Sequence, residues 1–410
     1  MRRLLVLTLL CILSACLKPS DSDIAVSNSQ PFQNGDLSNA LSKNTSIKLF
    51  YQAFVRLQLS RLLDTTKGYT IFAPVDSAMI TAGLNEATIN SLPIDSLRKL
   101  ITPHFAGGAV DDVSFTNSAL SLKIMTFRQD TSFSQSAGHT VYTYPLYAQE
   151  EANMISFNGF PVAKAGPVIP ASNGYIYPIT RVLKGVANQS LRDVITSQPD
   201  LSLFAAALAI GDSIRWDALM NLYGAYDSTT KDLSWLSNLV RLNYNGYQPT
   251  ILAPTNTAFN KAGFHTVDDI RQYALSVPTG MDPNVYAFNY PPIDSILKRH
   301  FIYNFQLSYL NKTTSPVILY SDFLHPQTVN NGVYNIYKGR QSSDLSQELA
   351  INYLKGLQFS AQQGVAYVKW NDQLPPVVIQ QDEDPTHPVR NFVTVFGALY
   401  KIDELFYQNN

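Results

Sequence analysis

The sequence predicts an α+β protein in which one kind of domain occurs twice in tandem. A ten-residue stretch, TIFAPVDSAM at 70–79, returns in slightly altered form as TILAPTNTAF at 250–259. A helical pattern precedes each copy, and an alternating, strand-like pattern comes later in each half. Matching segments in the same order indicate an internal repeat. Because the repeat contains strand and helix patterns together, the predicted class is α+β.

The repeated ten residues predict a strand, a turn and the start of a helix. Each copy opens with β-branched and apolar residues, as in a buried strand. Pro74 and Pro254 lack a backbone donor, so we expect them to end the strand. Asp76 and Asn256 then occupy the position expected for a helix N-cap. The repeat is therefore predicted to be a structural strand-to-helix corner that carries no catalytic role.

Three further pairs of segments match around the two copies. Helical segments precede them, short helices that end in a histidine follow them, and alternating strands close each half. These pairs are 37–63 with 191–222, 97–105 with 294–302, and 173–183 with 396–406. The histidines are His104 and His300. We expect each to be hydrogen-bonded inside its own core rather than to act as a general base.

These landmarks, in this order, resemble the fasciclin domain, present twice. The first signature of that family reads T-[IVL]-[FL]-A-P-[TS]-[ND]-x-A-F, and residues 250–259 fit it at every position. The family's aspartate in the closing strand is present as Asp403, whereas Thr180 stands there in the first copy. The resemblance implies two domains, each a β-sandwich wedge flanked by helices. Pairing of 70–72 with 175–179 would join the first and last thirds of the first domain.

In animal relatives, a Tyr-His pair at the position of these histidines is linked to integrin binding. Pro103 and Arg299 precede the histidines here. The resemblance therefore does not extend that role to this chain.

The resemblance and the spacing of the repeats predict how the chain is divided. From motif to closing strand the second half is longer than the first, so we expect it to carry two insertions. Because insertions lie on loops, where binding is often placed, they are candidate binding regions. The expected segments are a signal peptide at 1–15, a flexible tether at 16–34, domains at 35–186 and 187–407, and insertions near 272–292 and within 311–390.

The N-terminus has the pattern of a bacterial lipoprotein signal. Arg2 and Arg3 precede an apolar run at 4–13, too short for a transmembrane helix of about 20 residues. The run leads into LSAC at 13–16, which resembles a lipobox. In such proteins the cysteine, here Cys16, carries the lipid. An ordinary signal peptide with an incidental cysteine is the alternative. By resemblance to Bacteroidota-like lipoproteins, we expect an outer-membrane protein on the periplasmic or the surface-exposed face.

Composition and motifs argue against several function classes. The formal net charge is −1 and no basic stretch occurs, so a nucleic-acid partner is not expected. If the lipobox interpretation holds, Cys11 is removed with the signal and Cys16 is acylated, so we expect no thiol to remain for a disulfide or a metal. No HExxH, GxSxG, GxGxxG or P-loop is present, so we expect no cofactor and no catalytic site. The acidic run at 382–384 is expected to be a solvated loop, with calcium binding as the alternative.

Tyrosines in polar, extended stretches are the strongest candidates for binding. Tyr286, Phe288 and Tyr290 would share one face of a strand, and such a row can stack on sugar rings or anchor a protein. The alternative is that the row covers its own core. Tyr142, Tyr144 and Tyr147 form a similar group.

The function expected from these features is that of a non-catalytic adhesion or protein-interaction module. It would be lipid-anchored in the cell envelope, and an envelope protein would be its partner. An accessory glycan-binding lipoprotein of a polysaccharide-uptake system, with an extracellular glycan as partner, is the first alternative. A hydrolase is the least favoured.

Overall fold

The protein folds as two α+β units that repeat the same central strand pairing. The computed structural model describes residues 34–116, 121–130, 141–151, 154–186, 188–223, 249–282, 287–303, 317–330, 357–370, 374–380 and 392–407. Cys16, most of the predicted tether and the acidic run at 382–384 lie outside these residues. The predicted fold class is confirmed.

The first domain alternates short helices with an eight-stranded sheet. Single 3₁₀ turns at Leu59–Leu62 and Thr102–His104 join its elements. The helices are α1 (Leu37–Lys43), α2 (Lys48–Arg56), α3 (Asp76–Thr81), α4 (Glu86–Ser91), α5 (Ile94–Ile101) and α6 (Asp112–Thr116). The strands are β1 (Tyr69–Pro74), β2 (Phe105–Gly107), β3 (Leu122–Asp130), β4 (Tyr142–Glu151), β5 (Met154–Phe157), β6 (Phe160–Ala163), β7 (Ile169–Ala171) and β8 (Gly174–Ile179).

The sheet joins the early and late parts of the first domain, as the sequence predicted. Its strand order is β6-β5-β4-β3-β2-β1-β8-β7. β1 runs parallel to β8, with Thr70 opposite Tyr175 and Phe72 opposite Tyr177. A bridge between Lys164 and Ile179 also connects the end of β6 to β8, so the sheet curls back on itself.

Alternation along β1 divides the first domain into two apolar cores. Successive side chains of a strand point to opposite faces. Ile71 and Ala73 pack against the helices with Phe50, while Phe72 points into the curled sheet with Tyr177. The expectation of a buried strand at 70–72 is thus confirmed, since all six residues of β1 are buried.

The second domain repeats this arrangement and adds further elements. Its 3₁₀ turns are Pro199–Leu201 and Lys298–His300. The helices are α7 (Leu191–Ser197), α8 (Ser202–Tyr223), α9 (Asn256–Lys261), α10 (Val267–Ala274), α11 (Pro292–Leu297), α12 (Tyr320–Phe323) and α13 (Pro326–Asn330). The strands are β9 (Pro249–Pro254), β10 (Gly280–Asp282), β11 (Ala287–Asn289), β12 (Phe301–Tyr303), β13 (Leu357–Gln362), β14 (Val365–Trp370), β15 (Val377–Val378), β16 (Phe392–Thr394) and β17 (Gly397–Ile402).

The strand pairing at the centre of the second domain matches that of the first. β9 lies between antiparallel β12 and parallel β17, with Ile251 opposite Leu399. Ile251 packs against the helices, and Leu252 points to the other side with Tyr400. In the regions predicted as insertions, β10 and β11 form a hairpin, and β13-β14-β15 form a separate three-stranded sheet.

The two domains share an apolar core and a buried hydrogen bond. Tyr144 and Tyr147 of β4 are buried in the same cluster as Val317, Phe359 and other residues of the second domain. Ser121 donates from its amide and from its hydroxyl to Asp322 Oδ1, at 3.2 and 3.1 Å. These contacts bury apolar and polar groups of both domains together.

The long helical patterns at 37–63 and 191–222 are each broken into shorter helices. After α1, the side chain of Asn44 accepts bonds from the amide and hydroxyl of Ser46, which stabilises a turn instead of a helix. Pro199 begins the 3₁₀ turn that separates α7 from α8. Among the described residues, no single helix has the length and apolar character to cross a membrane. The pair Leu191–Ser197 and Pro199–Asn221 meets those criteria only jointly, across a bend of 102°.

Candidate functional site

The strand-to-helix corners differ from the sequence prediction in one respect. Pro74 and Pro254 are the last residues of β1 and β9, as expected. The predicted N-caps, Asp76 and Asn256, are wrong: both are the first residues of their helices. The N-cap positions belong to the residues before them.

Asp76 and Asn256 instead cap a neighbouring helix. Asp76 Oδ1 accepts a 2.8 Å hydrogen bond from the amide of Leu49, the second residue of α2. Asn256 Oδ1 accepts one of 2.9 Å from the amide of Leu203, the second residue of α8. The first amides of a helix have no hydrogen-bond acceptor within that helix, and the side chains of Asp76 and Asn256 each supply one. The repeated corner therefore fastens the helix that precedes it in each domain.

Asp403 completes the second corner. Thr255 is the N-cap of α9, and its hydroxyl donates to Asp403 Oδ1 at 2.6 Å while accepting from the amide of Ala258 at 3.3 Å. Gln380 Nε2 donates to the other carboxylate oxygen at 2.8 Å. In the first domain Val75 replaces this threonine, and no side chain caps α3.

The histidines hold the closing segment of each domain. His104 Nε2 accepts a 2.8 Å bond from the amide of Leu183, and its Nδ1 lies 3.2 Å from the carbonyl oxygen of Ile101. His300 Nε2 accepts from the amide of Phe406 at 3.1 Å, and Nδ1 donates to the carbonyl of Leu252 at 2.8 Å. An amide can only donate, so each imidazole is neutral with its proton on Nδ1.

Burial keeps both histidines uncharged. Desolvation lowers the pKa of His104 to about 4 and that of His300 to about 3, against an ordinary value near 6.5. Both ring nitrogens of each histidine already contact backbone groups of the same domain. The expectation that they are core residues agrees with this geometry, which leaves no nitrogen to abstract a proton from a substrate.

The predicted aromatic row is only partly described. Tyr286 lies outside the described residues, and Phe288 lies in the middle of β11. Tyr290 follows β11 and is half-buried; Lys298 Nζ lies 4.5 Å from the centre of its ring and Arg215 Cζ 6.0 Å. These cation–π contacts attach the end of the hairpin to its own domain. Binding through the row stays a prediction.

A buried ionic cluster lies beneath Tyr290 and was not predicted. Arg215 of α8 donates through Nε to Asp294 Oδ2 at 3.0 Å and through Nη2 to the same oxygen. Burial lowers the pKa of Lys298, four residues after Asp294, to about 8. A buried carboxylate needs such paired cations. A lone arginine in the apolar stretch of α8 is the sequence signal that could have indicated this cluster.

The second tyrosine group belongs to the seam between the domains. Tyr144 and Tyr147 are buried there, and Tyr142 packs against the same cluster. Arg128 Cζ lies 4.1 Å from the centre of the Tyr144 ring, whose hydroxyl donates to Asp130 at 3.1 Å. Two of the three rings are therefore internal.

The described residues give no support to a metal site or a clustered catalytic site. Within them, no group of three or more His, Cys, Asp or Glu side chains could hold a metal ion. The residues brought together at the corners, around the histidines and in the ionic cluster satisfy one another. Their arrangement stabilises the two domains.

Comparison with known proteins gives one family match. Residues 45–185 match the family model described as Fasciclin domain. No curated protein sequence matches the chain. Among solved structures, the chain is similar to a FAS1 domain pair from the insect cell adhesion molecule fasciclin I, with 12% identity and a TM-score of 0.30, over 88% of this chain and 97% of that one.

The second domain is related to the first by the chain's own geometry. Both have a parallel pair of strands beginning at the repeated motif, an antiparallel strand after the histidine, and a histidine bound to the closing segment. Residues 45–185 therefore correspond to a fasciclin domain, and the second half of the chain repeats its central strand pairing around the second copy of the motif.

Proposed function

We propose that the protein is a non-catalytic adhesion or protein-interaction module, held at the cell envelope by a lipid on Cys16. The match of residues 45–185 to the fasciclin domain carries this proposal, because fasciclin domains are typically adhesion or interaction modules. The position of Cys16 directly after a short apolar run supports the anchor. The outer membrane is the proposed location, with the domains on its periplasmic or outer face.

The packing between the domains supports a role in which their binding surfaces are held in a fixed arrangement for a partner. Tyr147 is buried against the second domain, and Ser121 donates to the buried Asp322 across the seam. Binding surfaces on two units held in a fixed relation lose less entropy on association than surfaces on freely jointed ones. A packed pair is therefore suited to bind one partner through both domains at once.

A direct test uses the chain from residue 16 onward with Cys16→Ala, immobilised and exposed to an envelope extract of its own cells. Cross-linking followed by mass spectrometry should identify a protein retained by the whole chain. The same chain unfolded in urea before coupling is the control. Equal retention on the folded and unfolded chains, or none on either, would contradict the protein-interaction role.

The alternative function, an accessory glycan-binding lipoprotein, has one specific surface in its favour. That surface lies on the separate sheet of the second domain.

A further inference from the structure

We propose that the outward side of the sheet β13-β14-β15 binds a neutral glycan. We call this surface the glycan face. It consists of Gln358, Ser360, Gln362, Val365, Tyr367, Lys369 and Val378. The proposal goes beyond the protein-interaction role and does not depend on it.

The strand register brings these side chains to one side of the sheet. Leu357 and Phe359 of β13 and Ala366 and Val368 of β14 are buried in the core, so the alternate residues point outward. The register places Ser360 opposite Tyr367, and Tyr367 opposite Val378 on the next strand. Tyr367 is thus at the centre of the face.

The chemistry of the face matches a sugar better than a charged polymer. A tyrosine ring offers a flat apolar surface for the C–H side of a pyranose, and its hydroxyl adds a polar edge. Gln358 and Gln362, both exposed diagonal neighbours of Tyr367, each provide an acceptor and two donors for neighbouring hydroxyls. On the outward side of these three strands, Lys369 is the one charged side chain.

The dimensions and composition favour a glycan over a protein partner. The two six-residue strands β13 and β14 are about 20 Å long, and with the two-residue β15 the sheet is about 10 Å across, which suits a short run of sugar units. A standard protein interface buries about 800 Å² on each side around an apolar centre. One half-buried ring and two valines supply too little apolar surface for such a centre.

The sheet beneath the face is held firmly. Phe359 stacks on Phe323 with ring centres 5.0 Å apart, and the amide of Ala366 donates to the Tyr320 hydroxyl at 3.1 Å. At the end of β14, Arg299 Cζ lies 4.5 Å from the centre of the Trp370 ring, and Arg299 Nη1 donates to the carbonyl of Phe406. A rigid platform lowers the entropy lost when a flexible sugar chain binds.

The test is affinity electrophoresis of the Cys16→Ala chain from residue 16 onward, in gels containing xylan, β-glucan, mannan or starch. We expect at least one of these neutral polysaccharides to retard the protein. Tyr367→Ala should weaken that binding by about tenfold, and Tyr367→Phe should largely preserve it. Gln358→Ala with Gln362→Ala should also weaken it, because hydrogen bonds to the sugar are lost.

Gln129→Ala provides the matched control, since Gln129 is an exposed glutamine on a strand of the first domain. It should bind as the parent does. Circular dichroism melts of each variant confirm that folding is retained. Absence of retardation in all four gels overturns the proposal, as does unchanged binding in Tyr367→Ala. Retention of an envelope protein that Tyr367→Ala abolishes would assign the face to a protein partner instead.

Discussion

His300 and Phe406 are joined by both their polar and their apolar parts. The amide of Phe406 donates to His300 Nε2 at 3.1 Å, and the two rings stack with centres 4.4 Å apart and planes 5° apart. In the first domain the amide of Leu183 makes the same bond to His104 at 2.8 Å. A histidine in the middle of each domain thus holds the C-terminal segment of that domain in place.

Loss of this bond should destabilise the second domain. His300→Leu would leave the buried amide of Phe406 without an acceptor, and such an orphaned group costs about 1–3 kcal/mol. Urea denaturation followed by circular dichroism should show this decrease in the free energy of unfolding. His265→Ala, at an exposed histidine, should stay within about 0.5 kcal/mol of the parent. Equal effects of the two substitutions would contradict the structural role.

Stability should decrease as the pH falls below the ordinary histidine pKa. The folded-state pKa of His104 is about 4 and that of His300 about 3, both below the unfolded value near 6.5. Between these values the unfolded chain binds more protons, so the free energy of unfolding rises with pH. The full stabilisation is present above pH 6.5 and is lost as pH decreases through the window.

Each histidine should contribute a slope of about 1.4 kcal/mol per pH unit well inside that window. Urea titrations between pH 7.5 and 5 measure it before most carboxylates titrate. His300→Gln, whose amide can still accept from Phe406, should reduce the slope by about half. A slope unchanged in that variant would show that other groups cause it.

The corner of the second domain should depend on Thr255 and Asp403 together. Thr255→Val removes the N-cap of α9, and Asp403→Asn weakens the acceptor that orients the threonine. Each should cost about 1 kcal/mol, and the double variant should cost less than the sum, because the two side chains act through one hydrogen bond. Additive losses in urea denaturation would contradict this coupling. Val75→Thr is the corresponding control in the first domain, because the position equivalent to Asp403 is occupied there by Thr180.

Substitution of Asp322 should destabilise the contact between the domains more than substitution of Ser121 does. Asp322 accepts from the amide and hydroxyl of Ser121 and from the amide of Leu319, and it is buried. Asp322→Ala leaves two buried amides unpaired, so we expect a loss of about 2–4 kcal/mol. Ser121→Ala removes one hydroxyl and should cost about 1 kcal/mol. Thermal unfolding monitored by calorimetry would rank them; the reverse order would contradict the assigned bonds.

Attachment to the membrane should depend on Cys16. In cells, Cys16→Ala should move the full-length protein from the membrane fraction to the aqueous phase after detergent phase separation, because the acyl chains are its proposed anchor. Cys11→Ala is the matched control and should leave the protein membrane-bound, since residue 11 lies within the predicted signal. A Cys16→Ala protein that remains with the membrane would contradict the lipobox interpretation.

Local sequence was sufficient for elements that depend on nearby residues. Apolar, β-branched residues at 70–72 predicted a buried strand, alternation at 173–183 predicted a second strand, and the family resemblance suggested that the two pair; the structure shows that the pairing is parallel. A histidine after an apolar helix predicted a core residue, and His104 is buried. The helix caps were misassigned because Asp76 reaches the amide of Leu49, 27 residues earlier in the chain, so no local rule could identify its partner.

By itself, therefore, the sequence determined the α+β class, the repeated strand-to-helix corner and the burial of the two histidines, because these follow from the order of neighbouring apolar and polar residues. Tertiary structure alone decided that Tyr144 and Tyr147 lie between the domains and that Arg215 pairs with Asp294. It also decided that Tyr367 occupies the centre of an outward face. These relationships depend on which distant segments meet and in what register, and that is set by the packing of whole elements.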